Sequence, residues 1–195
     1  GREVNHQYSK SLVFEKALRE VISHTVSGDI EYFSLLRPFS ETAITHRFAD
    51  MLEFHPVFSS CNRNFHQDGS HIEGRWCQDC PKCRFAALAL APFMTPEQLV
   101  AIQGADLLDE KVQLQGFRAL CGLGEHKPFE CVGKISECRA AIKALAGQPA
   151  WLDKYIVATL AAMDEIKQAG QLELEPDTTP GHCIPPEIMA RIDAY

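Results

Sequence analysis

Three cysteines within seven residues, Cys77-Gln78-Asp79-Cys80-Pro81-Lys82-Cys83, constrain this chain more than any other feature of its 195 residues. A Cys-x2-Cys turn lets two thiolates converge on one ion at about 2.3 Å each, and zinc completes its tetrahedron with two more ligands. Cys83 is the third ligand, and Cys61, at the end of a predicted strand just upstream, is the natural fourth. His66 and His71 compete for that last position, because neutral imidazole also binds zinc. An iron–sulfur cluster and free thiols are the other readings of the same spacing. A closed four-ligand site is structural: it pins a loop that carries chemistry and performs none itself.

Eight cysteines in a small secreted protein would suggest disulfides, so the compartment matters. The chain opens Gly-Arg-Glu-Val, without a basic and then apolar leader, and 46% of it is hydrophobic. Both point to a cytoplasmic, reducing setting in which closely spaced cysteines are metal ligands. Its first residue is not Met, which reads as a fragment of something longer. The longest apolar run, residues 85–94, contains Pro92 and is too short to span a bilayer. A net charge of -7 argues against a broad nucleic-acid surface, although Arg75, Lys82 and Arg84 form a small basic island around the cysteines.

Periodicity then supplies an organisation. Residues 9–25 predict a helix capped by Ser9 or Ser11, with Phe14, Ala17, Leu18, Val21 and Ile22 on one face. Residues 30–36 and 55–60 are short and rich in β-branched or aromatic side chains, which predicts two strands. The run 40–52 between them predicts a helix, so the order is strand, helix, strand, the βαβ signature of a parallel sheet. After Thr95-Pro96 the pattern is helical throughout: a short helix capped by Thr95, then 109–120, 136–146 and 151–167, and a terminal helix opened by Pro185-Pro186. The expected fold class is therefore α/β over residues 1–95, including the zinc loop 61–83, followed by a mainly helical subdomain over 96–195.

Several separated motifs carry a resemblance. Ser60-Cys61 followed by Cys77-x-x-Cys80-x-x-Cys83-Arg84 resembles the zinc-binding end of PP-loop ATP pyrophosphatases. A narrower match takes in Asn5-His6-Gln7-Tyr8-Ser9-Lys10-Ser11, Ser60-Cys61-Asn62-Arg63, Arg75-Trp76-Cys77 through Cys83-Arg84-Phe85, Ala89-Leu90-Ala91-Pro92-Phe93, and His126-Lys127-Pro128-Phe129-Glu130-Cys131-Val132-Gly133. Together these resemble the UDP-N-acetylmuramoyl-L-alanyl-L-glutamate epimerases, over about residues 5–145. The resemblance implies the C-terminal part of a PP-loop domain that uses ATP and magnesium. It also implies UDP-MurNAc-L-Ala-L-Glu as substrate, its terminal glutamate inverted through an acyl adenylate for peptidoglycan synthesis. One departure stands out: PP-loop enzymes hold pyrophosphate on a Ser-Gly-Gly-x-Asp-Ser loop, and Ser27-Gly28-Asp29 is only a weak echo of it. Half of an ATP site would then be missing, and the isolated chain is expected to be inactive.

The segment 126–131 is the best catalytic candidate, an irregular loop flanked by Gly122, Gly124 and Gly133. It offers His126 as a base, Lys127 as a cation for phosphate or carboxylate, Glu130 as a carboxylate and Cys131 as a thiol. A thiol near neutrality both takes and returns a proton, which suits inversion at an α-carbon. The bland alternative is a connector with Cys131 packed as a small hydrophobe. Ser9 and Lys10, at the start of the first helix, are candidates for an anion, or merely a capping segment. Arg63 and Arg84 each follow a zinc ligand and can clamp a phosphate or carboxylate, or pair on the surface. Arg37 and Glu41 read as substrate or metal contacts, or as a helix cap with its partner. Cys121 and Cys138 read as packed, and Cys183, beside His182, as a loop thiol that could act as a second acid or base. The rival readings are a PP-loop pyrophosphatase acting on a nucleobase or tRNA, and a zinc-stabilised binding module without catalysis.

Overall fold

The structure is a computed structural model that describes residues 8–64, 72–124 and 126–192, and the chain divides into two compact units. A central unit runs Glu41–Leu174, and a terminal unit joins the segment up to Ser40 with the segment from Glu175.

The α/β expectation is overturned: among the described residues there are helices and turns but no strand. The run 30–36 is a turn-rich connection that leaves Ile30, Tyr32, Leu35 and Leu36 exposed. Residues 55–60 close a tight turn, with the Phe58 amide bonded to the Phe54 carbonyl at 3.0 Å and Val57 71% exposed. The physical reason is that a strand needs a neighbouring edge to receive its backbone bonds, whereas β-branched content in a seven-residue window supplies only a preference. With the sheet goes the PP-loop domain that the first resemblance implied.

The central unit is built around α3 (Pro81–Leu90), which packs against α2 (Glu41–Ala49), α4 (Pro96–Gln103), α5 (Leu114–Leu120) and α6 (Ile135–Ala146). Cys83, Ala86, Ala87, Leu88 and Leu90 give α3 buried positions on nearly every side, as a central helix requires. Thr95 caps α4 through a reciprocal bond with Gln98, as its position before Pro96 predicts. The expected long helix over 151–167 is instead a turn followed by α7 (Tyr155–Ala161) and α8 (Asp164–Lys167). Met163 is extended between them, and Trp151 is buried in the preceding turn with its Nε1 donating to the Met94 carbonyl at 3.0 Å.

Glu137 joins two helix starts. It is 8% exposed, and its Oε1 accepts the Glu41 amide that opens α2 at 2.9 Å. Its Oε2 accepts the Lys134 amide at the start of α6, also at 2.9 Å. One carboxylate thus meets the positive ends of two helix dipoles. Glu137→Ala is expected to cost about 2–3 kcal/mol, read as a lower urea midpoint at unchanged slope. Glu137→Gln keeps a single acceptor and is expected to cost about half as much. An unmoved midpoint in the alanine variant would dismiss this role.

In the terminal unit, Ser11 caps α1 (Leu12–Thr25) by accepting the Phe14 amide at 3.1 Å. Glu15, 3% exposed, forms an ion pair with Arg37, whose Nη2 also donates to the Lys10 carbonyl at 3.2 Å. Arg19 pairs with Glu31 at 2.7 Å and reaches the carbonyls of Tyr32 and Cys183. The unit ends in α9 (Pro186–Ile192). No helix among the described residues is long and apolar enough to cross a membrane.

Candidate metal centre

The four cysteine sulfurs of Cys61, Cys77, Cys80 and Cys83 lie within 4.8 Å of one another. Cys80 and Cys83 are 3.4 Å apart, and Cys77 and Cys83 3.7 Å. A tetrahedron with metal–sulfur bonds of about 2.3 Å has sulfur–sulfur edges of about 3.8 Å. The observed spacing therefore fits one tetrahedral ion with small adjustments. Cys61, Cys80 and Cys83 are buried, and Cys77 is half-buried. His66 and His71, the rival ligands, lie outside the described residues.

Local sequence explains the convergence. Cys80 is extended and is the N-cap of α3, where its sulfur accepts the Cys83 amide at 3.4 Å. Pro81 occupies the first helical turn, the place where a missing amide hydrogen costs nothing. Cys80 and Cys83 thus sit at the positive end of a helix dipole, which favours thiolate. Cys61 accepts the Cys77 amide at 3.4 Å, and Ser59 fixes its strand of the loop by bonding the Arg75 carbonyl at 2.6 Å and the Cys61 amide at 3.2 Å. Hydrogen bonding from the Cys83 thiol and from backbone amides pushes the Cys80 thiol well down. The same shared bond and then burial push Cys83 up, while Cys61 is raised mainly by burial. A divalent ion is what allows thiols this close together to ionise side by side.

Around the cysteines runs a hydrogen-bonded network that the spacing of the motif did not announce. Asp79 takes the Nη2 of Arg63 at 2.9 Å on one oxygen and the Nη2 of Arg84 at 2.7 Å on the other. These contacts hold the Asp79 carboxyl below its usual value against a partial desolvation that would raise it. Arg84 Nε donates to Gln113 at 2.7 Å, and Gln113 donates to the Gln78 carbonyl at 3.0 Å. Gln78 in turn donates to the Gln103 carbonyl, and Gln103 to the Cys83 carbonyl, each at 3.0 Å. Gln78 adopts a φ of 62°, unusual for a residue with a side chain. A Cβ at Gly116 would stand 2.3 Å from Arg84 Nε, so glycine there leaves the lane through which the guanidinium passes. Gln103 and Gln113 are both buried, and nothing in the spacing of the sequence singles them out. Trp76, 5% exposed, sits next to the first clustered cysteine and packs edge-on against Phe58, with ring centroids 5.1 Å apart.

The loop after α5 carries the acid–base candidates. His126 and Lys127 are exposed, and Lys127 Nζ donates to the Gly133 carbonyl within the same loop. Glu130 and Cys131 are half-buried. Glu130 Oε2 is buried without a hydrogen-bond partner. Desolvation, then the charge of Cys80, raise the Glu130 carboxyl against a lowering by Lys82. A Cβ at Gly133 would stand 2.5 Å from the Phe85 ring, so the end of this loop lies against α3. Ser9 and Lys10 belong to the terminal unit, in a short 3-10 turn before α1, and Arg37 pairs there with Glu15. Cys121 and Cys138 are packed in the core of the central unit.

Residues 57–175 match the family model described as the MurL C-terminal domain, and residues 1–35 match that of the MurL N-terminal domain. The chain belongs to the MurL family. A relative from Xanthomonas oryzae pv. oryzae (strain MAFF 311018) is 43% identical over 195 residues, which is 98% of this chain and 43% of that protein. One from Micromonospora sp. (strain ATCC 39149 / NRRL 15099 / SCC 1413) is also 43% identical, over 95% of this chain and 42% of its own length. A third, from Salinispora tropica, is 44% identical over 82% of this chain and 35% of that protein. All three bear the name UDP-N-acetyl-alpha-D-muramoyl-L-alanyl-L-glutamate epimerase. The chain thus spans less than half the length of these MurL relatives. No solved structure matches it.

Proposed function

We propose that this chain is the C-terminal part of an epimerase that converts the terminal L-glutamate of UDP-MurNAc-L-Ala-L-Glu to D-glutamate, in the cytoplasm, for peptidoglycan precursors. The observation that carries the reading is 43% identity across 98% of the chain to a protein of that name. Zinc is the ion that an all-thiolate, closed, tetrahedral donor set suits best, and Cys61, Cys77, Cys80 and Cys83 would hold it. Its role is structural, because four protein ligands leave no position for substrate.

ATP and magnesium are the co-substrates of this reading. ATP converts the glutamate carboxylate to an acyl adenylate with release of pyrophosphate, and the mixed anhydride acidifies the α-hydrogen. One group removes that proton, another returns a proton on the opposite face, and hydrolysis releases the D-glutamyl product and AMP. His126, Glu130 and Cys131 are the proton-transfer candidates of this chain, with Lys127 as a cation for the developing negative charge. Arg63 and Arg84 would hold phosphate or carboxylate, and the exposed Arg63–Asp79 pair is one that an incoming anion can exchange. Ser9 and Lys10 are the corresponding candidates in the terminal unit.

The test uses the full-length protein with UDP-MurNAc-L-Ala-L-Glu, ATP and magnesium, followed by hydrolysis and assay of D-glutamate and AMP. D-Glutamate formed only in the presence of ATP is the expected result. D-Glutamate without ATP would remove the adenylate from the reading and leave the epimerisation. Neither product from a folded, metal-loaded protein would put a non-catalytic binding module in its place.

A further inference from the structure

Helix α5 ends in a turn that two arginines hold. Gly122 turns the chain at a φ of 63°, and the Leu123 amide donates back to the Arg118 carbonyl at 2.8 Å, a closure common where a helix stops on a left-handed glycine. Arg139, from α6, donates its Nε to the Cys121 carbonyl at 2.7 Å. Arg118 donates its Nη2 to the Leu123 carbonyl at 2.9 Å, and its Nη1 lies 3.6 Å from the Met163 sulfur. Carbonyls at the negative end of the α5 dipole thus face guanidinium groups, and an anion beside this turn meets positive charge first.

Arg118 differs from the paired arginines of the chain. Arg19, Arg37, Arg63 and Arg84 each form an ion pair with a carboxylate. Arg118 bonds only a carbonyl and a sulfur among the described residues, although the chain has 26 acidic residues against 19 lysines and arginines and so does not lack partners to offer it. Its guanidinium is half-buried and its Nε is left for an incoming group. Arg118 lines an open basin of about 590 Å³ together with Gln115, Ala119, Leu123 and Gly124, a volume in the range of small-molecule sites. Gly124 precedes His126 by two residues, which is about 7 Å of chain at most.

We propose that this basin receives the side-chain carboxylate of the substrate's terminal glutamate, and that Arg118 is the residue that recognises it. This assignment rests on the epimerase reading and adds to it what selects glutamate. A guanidinium held in place by a backbone carbonyl matches one carboxylate through paired N–H donors. A triphosphate carries several charges and calls for clustered cations, whereas Arg118 is the one cation on the wall of this basin. Ala119 and Leu123 supply apolar wall for the methylenes of the glutamate side chain. Only two methylenes separate that carboxylate from the α-carbon, so an anchor here holds the reacting centre beside the loop that carries His126.

The experiment titrates UDP-MurNAc-L-Ala-L-Glu and its L-glutamine analogue into the full-length protein, with magnesium and an ATP analogue uncleavable between its α- and β-phosphates. Wild type is expected to bind the glutamate form at least about thirty-fold more tightly, the worth of one charge-assisted pair of hydrogen bonds. Arg118→Met keeps an apolar stem against Met163 and is expected to bind both forms within about three-fold of each other. Arg118→Lys keeps the charge without the fork and is expected to lose at least about five-fold of the preference. A residue that merely clamped the Leu123 carbonyl would lower the urea midpoint of Arg118→Met and leave the preference as in wild type, and that result would overturn the proposal. An undiminished preference in Arg118→Lys decides the same way should the methionine variant fail to fold. A wild type that binds both forms alike would also overturn it, as would a loss confined to the ATP analogue, which would give the guanidinium to a phosphate. Assay of D-glutamate tests the epimerase reading separately: a preference that depends on Arg118 in a protein forming no D-glutamate would keep the carboxylate site and remove the reaction.

Discussion

Replacing Cys83 by serine is expected to remove the metal and to unfold the region around it, with a loss of roughly 4 kcal/mol or more, the range associated with losing a structural ion. Cys83 is the residue to choose because it serves three roles at once. Its sulfur is closest to that of Cys80, its side chain is fully buried, and its carbonyl receives the Gln103 amide that ties α3 to the rest of the network. A serine hydroxyl is both a poorer zinc ligand and a polar group in a site built for sulfur. Metal content by elemental analysis should fall from one per chain to near zero, and the thermal midpoint should drop with it. Strong chelation of the wild type should reproduce the change. Cys138→Ala supplies the contrast, because Cys138 is equally buried but lies outside the cluster, and it should lose some stability with no loss of metal. A Cys83→Ser protein that keeps a full equivalent of zinc and its midpoint would refute a four-cysteine site.

The second large effect concerns turnover. Glu130→Gln in the full-length protein is expected to lower the rate of D-glutamate formation by roughly 10²–10⁴-fold, the usual contribution of a positioned acid or base. The fall should lie in kcat, with KM little changed, because an acid–base group acts on the transition state more than on the bound substrate. Stability is expected to hold or to rise, since glutamine removes a charge from a site where one carboxylate oxygen is buried without a partner. That opposite movement of rate and stability separates chemistry from scaffolding. Turnover within about three-fold of wild type would remove Glu130 from the proton-transfer candidates and leave Cys131 and His126 to be varied in turn.

What could be read from the sequence followed the range over which each signal acts. The cysteine cluster was legible because Cys77, Cys80 and Cys83 are bound to converge by a single turn, and only Cys61 required a longer inference. Helix starts were legible at Ser11 and Thr95, where a hydroxyl and a following pattern act within four residues. The two strands were not, because pairing is a long-range property and residues 30–36 and 55–60 carried only local preference. Their overturning took the PP-loop sheet with it, while the family resemblance, carried by motifs spread across the chain, held. At the site, Arg63 and Arg84 stand out because each follows a metal ligand, whereas Asp79, which holds both, carries no signature of its own inside the Cys-x2-Cys turn. Gln78, Gln103 and Gln113 were invisible for a similar reason: an amide has no periodic or charge signature until its neighbours are known. Glu137, likewise, joins residues separated by 96 positions in the chain.

Trp76 has a practical consequence. It is one of only two tryptophans in the chain, it is buried against Phe58, and it precedes the first clustered cysteine directly. The other, Trp151, is anchored to the Met94 carbonyl, far along the chain. With Trp151 changed to phenylalanine, the ultraviolet emission of this chain would come from a single indole whose surroundings open when the metal loop opens. Loss of the ion should then shift that emission towards longer wavelength, so the protein carries a built-in optical gauge of its own metallation.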